Sequence, residues 1–232
     1  MLVFAHRGAS ATAPENTLLA FNLAFEQGAQ GIEFDTYQHA GGIVVFHDKT
    51  LSRTTNGTGA LLDTPFDHLR LLDAGQGQKI PTLTETLATL PRDRWCNIEI
   101  KHLDNVTKWV REVKQALTAQ GINPQRLLIS SFNHHWLKAI SAQWPEVKIG
   151  ALTASYELLP FTSAKILRAY SVNIALDIAN REFVEAALEA GFKVFVYTVD
   201  NDEDMKMLKA WGVTGIFTNV PQRASQILAS NQ

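Results

Sequence analysis

Val194-Phe195-Val196-Tyr197-Thr198-Val199, then Asp200-Asn201, a helix-period stretch over 202–211, Gly212, and the run Gly215-Ile216-Phe217-Thr218 read as strand, helix, strand. Asn201 is placed to cap the helix, whose first turn is acidic, and Gly212 is placed to end it. Pro221 opens a further helix that runs to residue 229. Upstream the same alternation recurs, with β-type runs at 2–5, 31–35, 95–100, 127–131, 147–151 and 172–176. Between them lie helical patterns at 15–27, 105–120 and 181–190, the last capped by Asn180, and each is followed by glycine: Gly28, Gly121, Gly191. Eight βα units in 232 residues predict an α/β fold, a closed (β/α)8 barrel. An open doubly wound sheet is the runner-up, weakened because no Gly-x-Gly-x-x-Gly follows any strand.

Two places break the rhythm. After 31–35 the chain continues Thr36-Tyr37-Gln38-His39, turns at Ala40-Gly41-Gly42 and returns as Ile43-Val44-Val45-Phe46-His47. So short a turn joins only antiparallel strands. Its centre pairs 38 with 43 and 34 with 47, which carries His47 back beside Phe34 and Asp35. Residues 48–79, rich in Thr, Gly and Asp, form an insertion after the second barrel strand. The expectation is one domain over 1–232, with 48–79 overhanging the barrel mouth.

Hydrophobic residues make up 46% of the chain, enough for a large core. Lys plus Arg is 21 and Asp plus Glu is 23, a net charge of −2. No basic excess draws the molecule to nucleic acid or an anionic membrane, so any phosphate recognition must be local. The single cysteine, Cys96, excludes an internal disulfide and sits in a buried-strand pattern that suits an inert thiol. No stretch reaches the ~20 apolar residues of a membrane span. Met1-Leu2-Val3-Phe4-Ala5 is too short for a signal peptide's apolar region, so the expectation is a cytoplasmic protein. The oligomeric state stays open.

Glu33 and Asp35 alternate along one strand and share a face. Two carboxylates in an apolar strand repel each other and need a cation, either a metal or a Lys or Arg partner. Glu99, with Lys101 two residues on, ends the next barrel strand nearby. Three carboxylates at adjacent strand ends make a hard-oxygen site suited to Mg²⁺ or Ca²⁺. The plain alternative is a Glu99–Lys101 ion pair, which leaves two carboxylates unexplained. His6 and His47 fall on the same rim and suggest an acid/base pair, against the plain reading of two rim residues. Arg7 and Lys101 are cations at the same mouth, either a phosphate clamp or counter-ions of the carboxylates. His39, at the hairpin tip, is expected to be solvated.

These residues fall into an ordered set: Ala5-His6-Arg7-Gly8, Ala13-Pro14-Glu15-Asn16-Thr17, Ile32-Glu33-Phe34-Asp35, Val45-Phe46-His47-Asp48 and Ile98-Glu99-Ile100-Lys101. The set resembles the glycerophosphodiester phosphodiesterases over nearly the whole chain, and Arg53-Thr54-Thr55-Asn56-Gly57-Thr58-Gly59 fits as well. The resemblance implies a TIM barrel and metal-dependent hydrolysis of small glycerophosphodiesters to sn-glycerol 3-phosphate and an alcohol. It implies Glu33, Asp35 and Glu99 as ligands of a divalent metal, Mg²⁺ or Ca²⁺. It further implies His6 and His47 as acid and base, and Arg7 and Lys101 as phosphate contacts. Two positions depart from the family's usual residues. Tyr197 stands in place of Trp, keeping an aromatic wall but adding a hydroxyl. Asn219 stands in place of Asp and removes a charge near the rim.

Three other readings follow from the same residues. A lysophospholipase D-like enzyme would need an exposed apolar groove, and the insertion offers only Leu61, Leu62, Phe66, Leu69, Leu71 and Leu72. A non-catalytic binding module is expected to lack a ligand or a histidine, and none is missing. A nuclease-like enzyme needs a basic track, against which the net charge argues.

Overall fold

The computed structural model describes residues 1–229. Its strands are β1 (Leu2–His6), β2 (Gly31–His39), β3 (Gly42–Val45), β4 (Trp95–His102), β5 (Leu127–Ser131), β6 (Lys148–Thr153), β7 (Ser171–Ala175), β8 (Lys193–Tyr197) and β9 (Gly215–Thr218). All but β3 pair in parallel, and β1 pairs with both β2 and β9, which closes an eight-stranded ring. Helices α1 (Leu18–Glu26), α3 (Leu83–Ala88), α4 (Val106–Gln120), α5 (His134–Gln143), α6 (Thr162–Leu167), α7 (Arg181–Glu189), α8 (Asp202–Ala210) and α9 (Pro221–Ala229) follow the ring strands. A short α2 (Phe66–Leu69) lies in the insertion. The closed barrel read from the sequence is the fold observed.

The predicted caps form. Asn105, Asn180 and Asn201 each accept a first-turn N–H, and Gly121 ends α4 in the left-handed region. The first helix starts later than 15, at Leu18, because Thr17 is its cap: Thr17 Oγ1 accepts from Ala20 N–H and donates to Pro14 O. Asn16 takes a left-handed φ of 57°. Glu15 and Asn16 are thereby held out of the helix and turned to the rim.

The hairpin register is the predicted one. Gln38 pairs with Ile43 and Thr36 with Val45, and Phe46 N–H continues the ladder to Asp35 O at 3.0 Å. His39, however, is buried. Its Nε2 donates to Thr64 O at 3.0 Å, and its ring lies 5.8 Å from Phe66. The expectation of a solvated tip fails because residues 64–66 fold back over the turn.

Apolar burial has three parts. Ile32, Phe34, Ile98 and their counterparts face outward beneath the helices. Phe4, Leu128, Phe195 and Phe217 fill the ring's interior. Leu51, Leu61, Leu69, Leu72 and Ile80 join Tyr37, Val44 and Phe46 of the hairpin side in a cluster under the insertion. Gly75 of the insertion lies against Pro14, where a Cβ would approach to 2.9 Å.

Candidate active site

Inward-facing positions at the C-terminal ends of β1, β2 and β4 converge on one spot. Glu33, Asp35 and Glu99 are all buried, and each presents a carboxylate oxygen within 4.8 Å of the others. Register places Asp35 directly beside Glu99. Burial, and then the Asp35 and Glu99 charges, raise the Glu33 carboxyl well above its usual value. Burial and Asp35 push Glu99 up to about 7. Burial would also raise Asp35, but Lys101 and Arg7 outweigh it and hold it below its ordinary value.

The cations at hand pair with Asp35 and Glu99 but not with Glu33. Lys101 Nζ bonds Glu99 Oε1 at 2.5 Å and lies 3.2 Å from Asp35 Oδ1. Arg7 Nε lies 3.1 Å from Asp35 Oδ2. Asn16 Nδ2 donates to the same oxygen at 2.9 Å. Glu33 Oε1 remains buried without a hydrogen-bond partner, and Asp35 Oδ1 has the Lys101 ammonium alone. A partnerless carboxylate oxygen converging with two further acids fits a hard divalent cation. The Glu99–Lys101 pair expected as the plain alternative is present, and Lys101 reaches Asp35 as well, but Glu33 is left without a cation among the described residues.

Arg7 adopts a left-handed φ of 57°, a conformation that costs about 1–2 kcal/mol for an L-residue. Its backbone N–H is fixed by Glu33, at 3.0 Å to both the carbonyl and Oε2. Gly8 follows with φ 83°, and a Cβ there would collide with Ala20 at 2.6 Å. The turn after β1 thus brings the Arg7 guanidinium back over the acids.

His6 ends β1, and its Nδ1 is 2.8 Å from Asn219 Oδ1. Burial first, and the Arg7 charge second, lower its pKa from the usual value. His47, returned by the hairpin, has Nδ1 2.6 Å from Asp48 Oδ1. Asp48 is gripped by Arg53, at 2.5 and 2.9 Å, which also holds Glu15 at 2.7 and 2.8 Å. Glu15 in turn bonds Arg7 Nη1 at 2.9 Å. An ionic chain thus runs from His47 around the rim to Arg7. Both imidazoles use Nδ1 to bond the protein, so neither Nε2 is engaged by these contacts.

All seven residues singled out in the sequence lie at this mouth. Sequence reasoning gave no role to Glu15, Asn16, Asp48, Arg53 or Asp200. The first four lie inside the quoted motifs, where a charged residue flanking a histidine or a cap was the available signal. Tyr197 donates its hydroxyl to Thr153 O at 2.9 Å, so the polar atom that replaces the indole is spent on the wall itself. Cys96 is fully buried, and burial raises its thiol pKa.

A parallel (β/α)8 barrel with three buried acids, two histidines and two cations at the C-terminal ends of its strands belongs to the class of barrels with a site where barrel enzymes keep theirs. Residues 6–223 match the model of the glycerophosphoryl diester phosphodiesterase family, and the chain belongs to that family. A glycerophosphodiester phosphodiesterase of Caldanaerobacter subterraneus subsp. tengcongensis is 38% identical over 230 residues, covering 95% of each chain. A phosphodiesterase of Oleispira antarctica, solved with the product sn-glycerol-3-phosphate, superposes with a TM-score of 0.92 at 31% identity, covering 99% of this chain and 97% of that one. The glycerophosphodiester phosphodiesterase of Agrobacterium tumefaciens gives 0.84 at 27% identity, covering 97% and 99%.

Proposed function

We propose that the protein hydrolyses small glycerophosphodiesters to sn-glycerol 3-phosphate and an alcohol, using a divalent cation and the pair His6 and His47. The observation that carries this is the buried triad, in which Glu33 Oε1 has no partner, flanked by two cations and two histidines. Glu33, Asp35 and Glu99 would hold Mg²⁺ or Ca²⁺. When bound, the ion supplies positive charge against the phosphate oxygens. Arg7 and Lys101 add to that charge and orient the diester, the largest expected contribution. His6, which burial drives toward the neutral imidazole, is suited to accept the proton of the attacking hydroxyl. His47 then protonates the leaving alkoxide. The attacker is water, which gives both products directly, or the substrate's own glycerol 2-hydroxyl, which expels the alcohol and leaves a cyclic phosphate that water then opens to sn-glycerol 3-phosphate. In this reading residues 1–232 act as one catalytic domain, and 48–79 flank the mouth and hold His47 through Asp48 and Arg53. The setting is cytoplasmic and the partner a small molecule.

A coupled assay for glycerol 3-phosphate release from glycerophosphocholine, with and without divalent metal, tests the proposal. No release under either condition would overturn it. One observation favours a second reading. Leu61, Leu69 and Leu72 of the insertion are buried, but Tyr156, Leu158 and Leu159 in the β6–α6 loop are 70%, 100% and 72% exposed. They leave from the rim that bears the site, where an acyl chain would lie. Faster turnover of lysophosphatidylcholine than of glycerophosphocholine would favour the lysophospholipase D reading.

A further inference from the structure

Asn219 does not face solvent with its second polar atom. Its Nδ2 donates to Asp200 Oδ2 at 2.6 Å, and its Oδ1 faces His6 Nδ1. Asp200 leaves the end of β8, and its other oxygen accepts from Asn219 N–H at 2.7 Å and Thr218 Oγ1 at 3.0 Å. Three donors thus converge on a carboxylate, which can only accept. That fixes the direction of everything in front of it. Asn219 must turn its NH₂ to Asp200 and its carbonyl to His6, and a carbonyl facing Nδ1 requires the ring proton there. Ser10 Oγ lies 2.8 Å from both Asn219 Oδ1 and the His6 carbonyl and has one proton to give, so it is compatible with this orientation without fixing it.

We propose that Asp200, acting through Asn219, is a positioning residue that holds His6 in the Nδ1–H tautomer and leaves Nε2 as its basic atom. The negative charge missing at position 219 is supplied one hydrogen bond further back. This rests on the role given to His6 above, and only on that part of it. A histidine base is served by whichever nitrogen its neighbour leaves unprotonated. An Asp→Asn change behind a catalytic histidine in the serine-protease triad lowers kcat about 10⁴-fold through the wrong tautomer.

The test is Asp200→Asn, nearly identical in shape. The new amide oxygen can still accept from Thr218 and the Asn219 backbone, but its NH₂ now meets the NH₂ of Asn219. Asn219 must flip, offer a donor to His6 Nδ1, and so drive the ring to the Nε2–H tautomer. The tautomer is read by nitrogen-15 long-range correlation of the imidazole, and kcat and KM are measured on the same protein. The expected result is an inverted tautomer and a kcat lower by about tenfold to a thousandfold, with KM within about threefold. Asp200→Asn combined with Asn219→Asp again offers His6 an acceptor, now a carboxylate, and restores both the Nδ1–H tautomer and most of kcat. A wild-type tautomer in Asp200→Asn overturns the proposal, as does a double variant that folds yet keeps the inverted ring. An inverted tautomer with unchanged kcat supports the positioning of the ring and overturns the proton-transfer role of His6. If the single variant does not fold, the double variant carries the test, because its tautomer and kcat are compared directly with wild type.

Discussion

Arg53 and Glu15, 38 residues apart, meet in a two-pronged ion pair of 2.7 and 2.8 Å that ties the insertion to the turn after β1. The same guanidinium holds Asp48, so a single side chain braces both the partner of His47 and the partner of Arg7. Arg53 is about half exposed, so the pair itself adds little stability. Its worth is in orientation. Arg53→Met should lower kcat about tenfold or more while shifting Tm little. An unchanged kcat would show that Asp48 holds His47 unaided.

If Glu33, Asp35 and Glu99 hold a divalent ion as proposed, activity depends on it. Chelation should abolish turnover, and Mg²⁺ or Ca²⁺ should restore it. Asp35→Asn should weaken calorimetric Ca²⁺ binding by at least about tenfold. Full turnover of demonstrably metal-free protein would contradict this.

Protonation of the triad sets the pH dependence of stability without metal. The Glu99 carboxyl titrates at about 7 in the folded chain against 4.5 ordinarily. A raised folded pKa stabilises below the unfolded value, and that contribution is lost as pH rises, here between 4.5 and about 7, by about 3 kcal/mol. Asp35 acts oppositely: held below 3.8, it stabilises above that value, and its contribution is lost as pH falls through its lowered folded pKa. Chelator-treated protein should therefore lose Tm from pH 4.5 to 7, and ion-loaded protein should not. Equal slopes for the two forms would refute the account.

If His6 accepts a proton, the acid limb of kcat/KM should lie below 6.5, since burial and Arg7 keep the ring neutral. His6→Ala and His47→Ala should each reduce kcat by about 10²–10⁴. A p-nitrophenyl diester should rescue the histidine that protonates the leaving group, and only that one. Equal losses on activated and natural diesters would remove the general-acid assignment.

Cys96→Ala should keep kcat within about threefold, because a fully buried thiol packs rather than reacts. Complete inactivation of a folded variant would contradict it.

The barrel was legible because its signals are local: an asparagine cap before α8, a glycine after α4, a period of two that put Glu33 and Asp35 on one face. The hairpin register followed from turn length alone. What escaped was set by contacts between distant segments. His39 looked exposed until Thr64 and Phe66 covered it. Residues 15 and 16 carried a helical pattern but are bound to Arg7, Arg53 and Asp35. Asn219 read as a lost charge because Asp200, 19 residues earlier, stands behind it only once β8 and β9 lie in one ring.

Beneath the acids, Phe4, Phe195 and Phe217 crowd together at 5.4–5.9 Å between ring centres and seal the lower barrel. The site is therefore a well with one door. Anything bound at the triad shares a single opening with whatever binds above it. Were Glu33, Asp35 and Glu99 to hold a divalent ion, its way out would be the way in for the diester, and metal exchange would be slower with the well filled than with it empty.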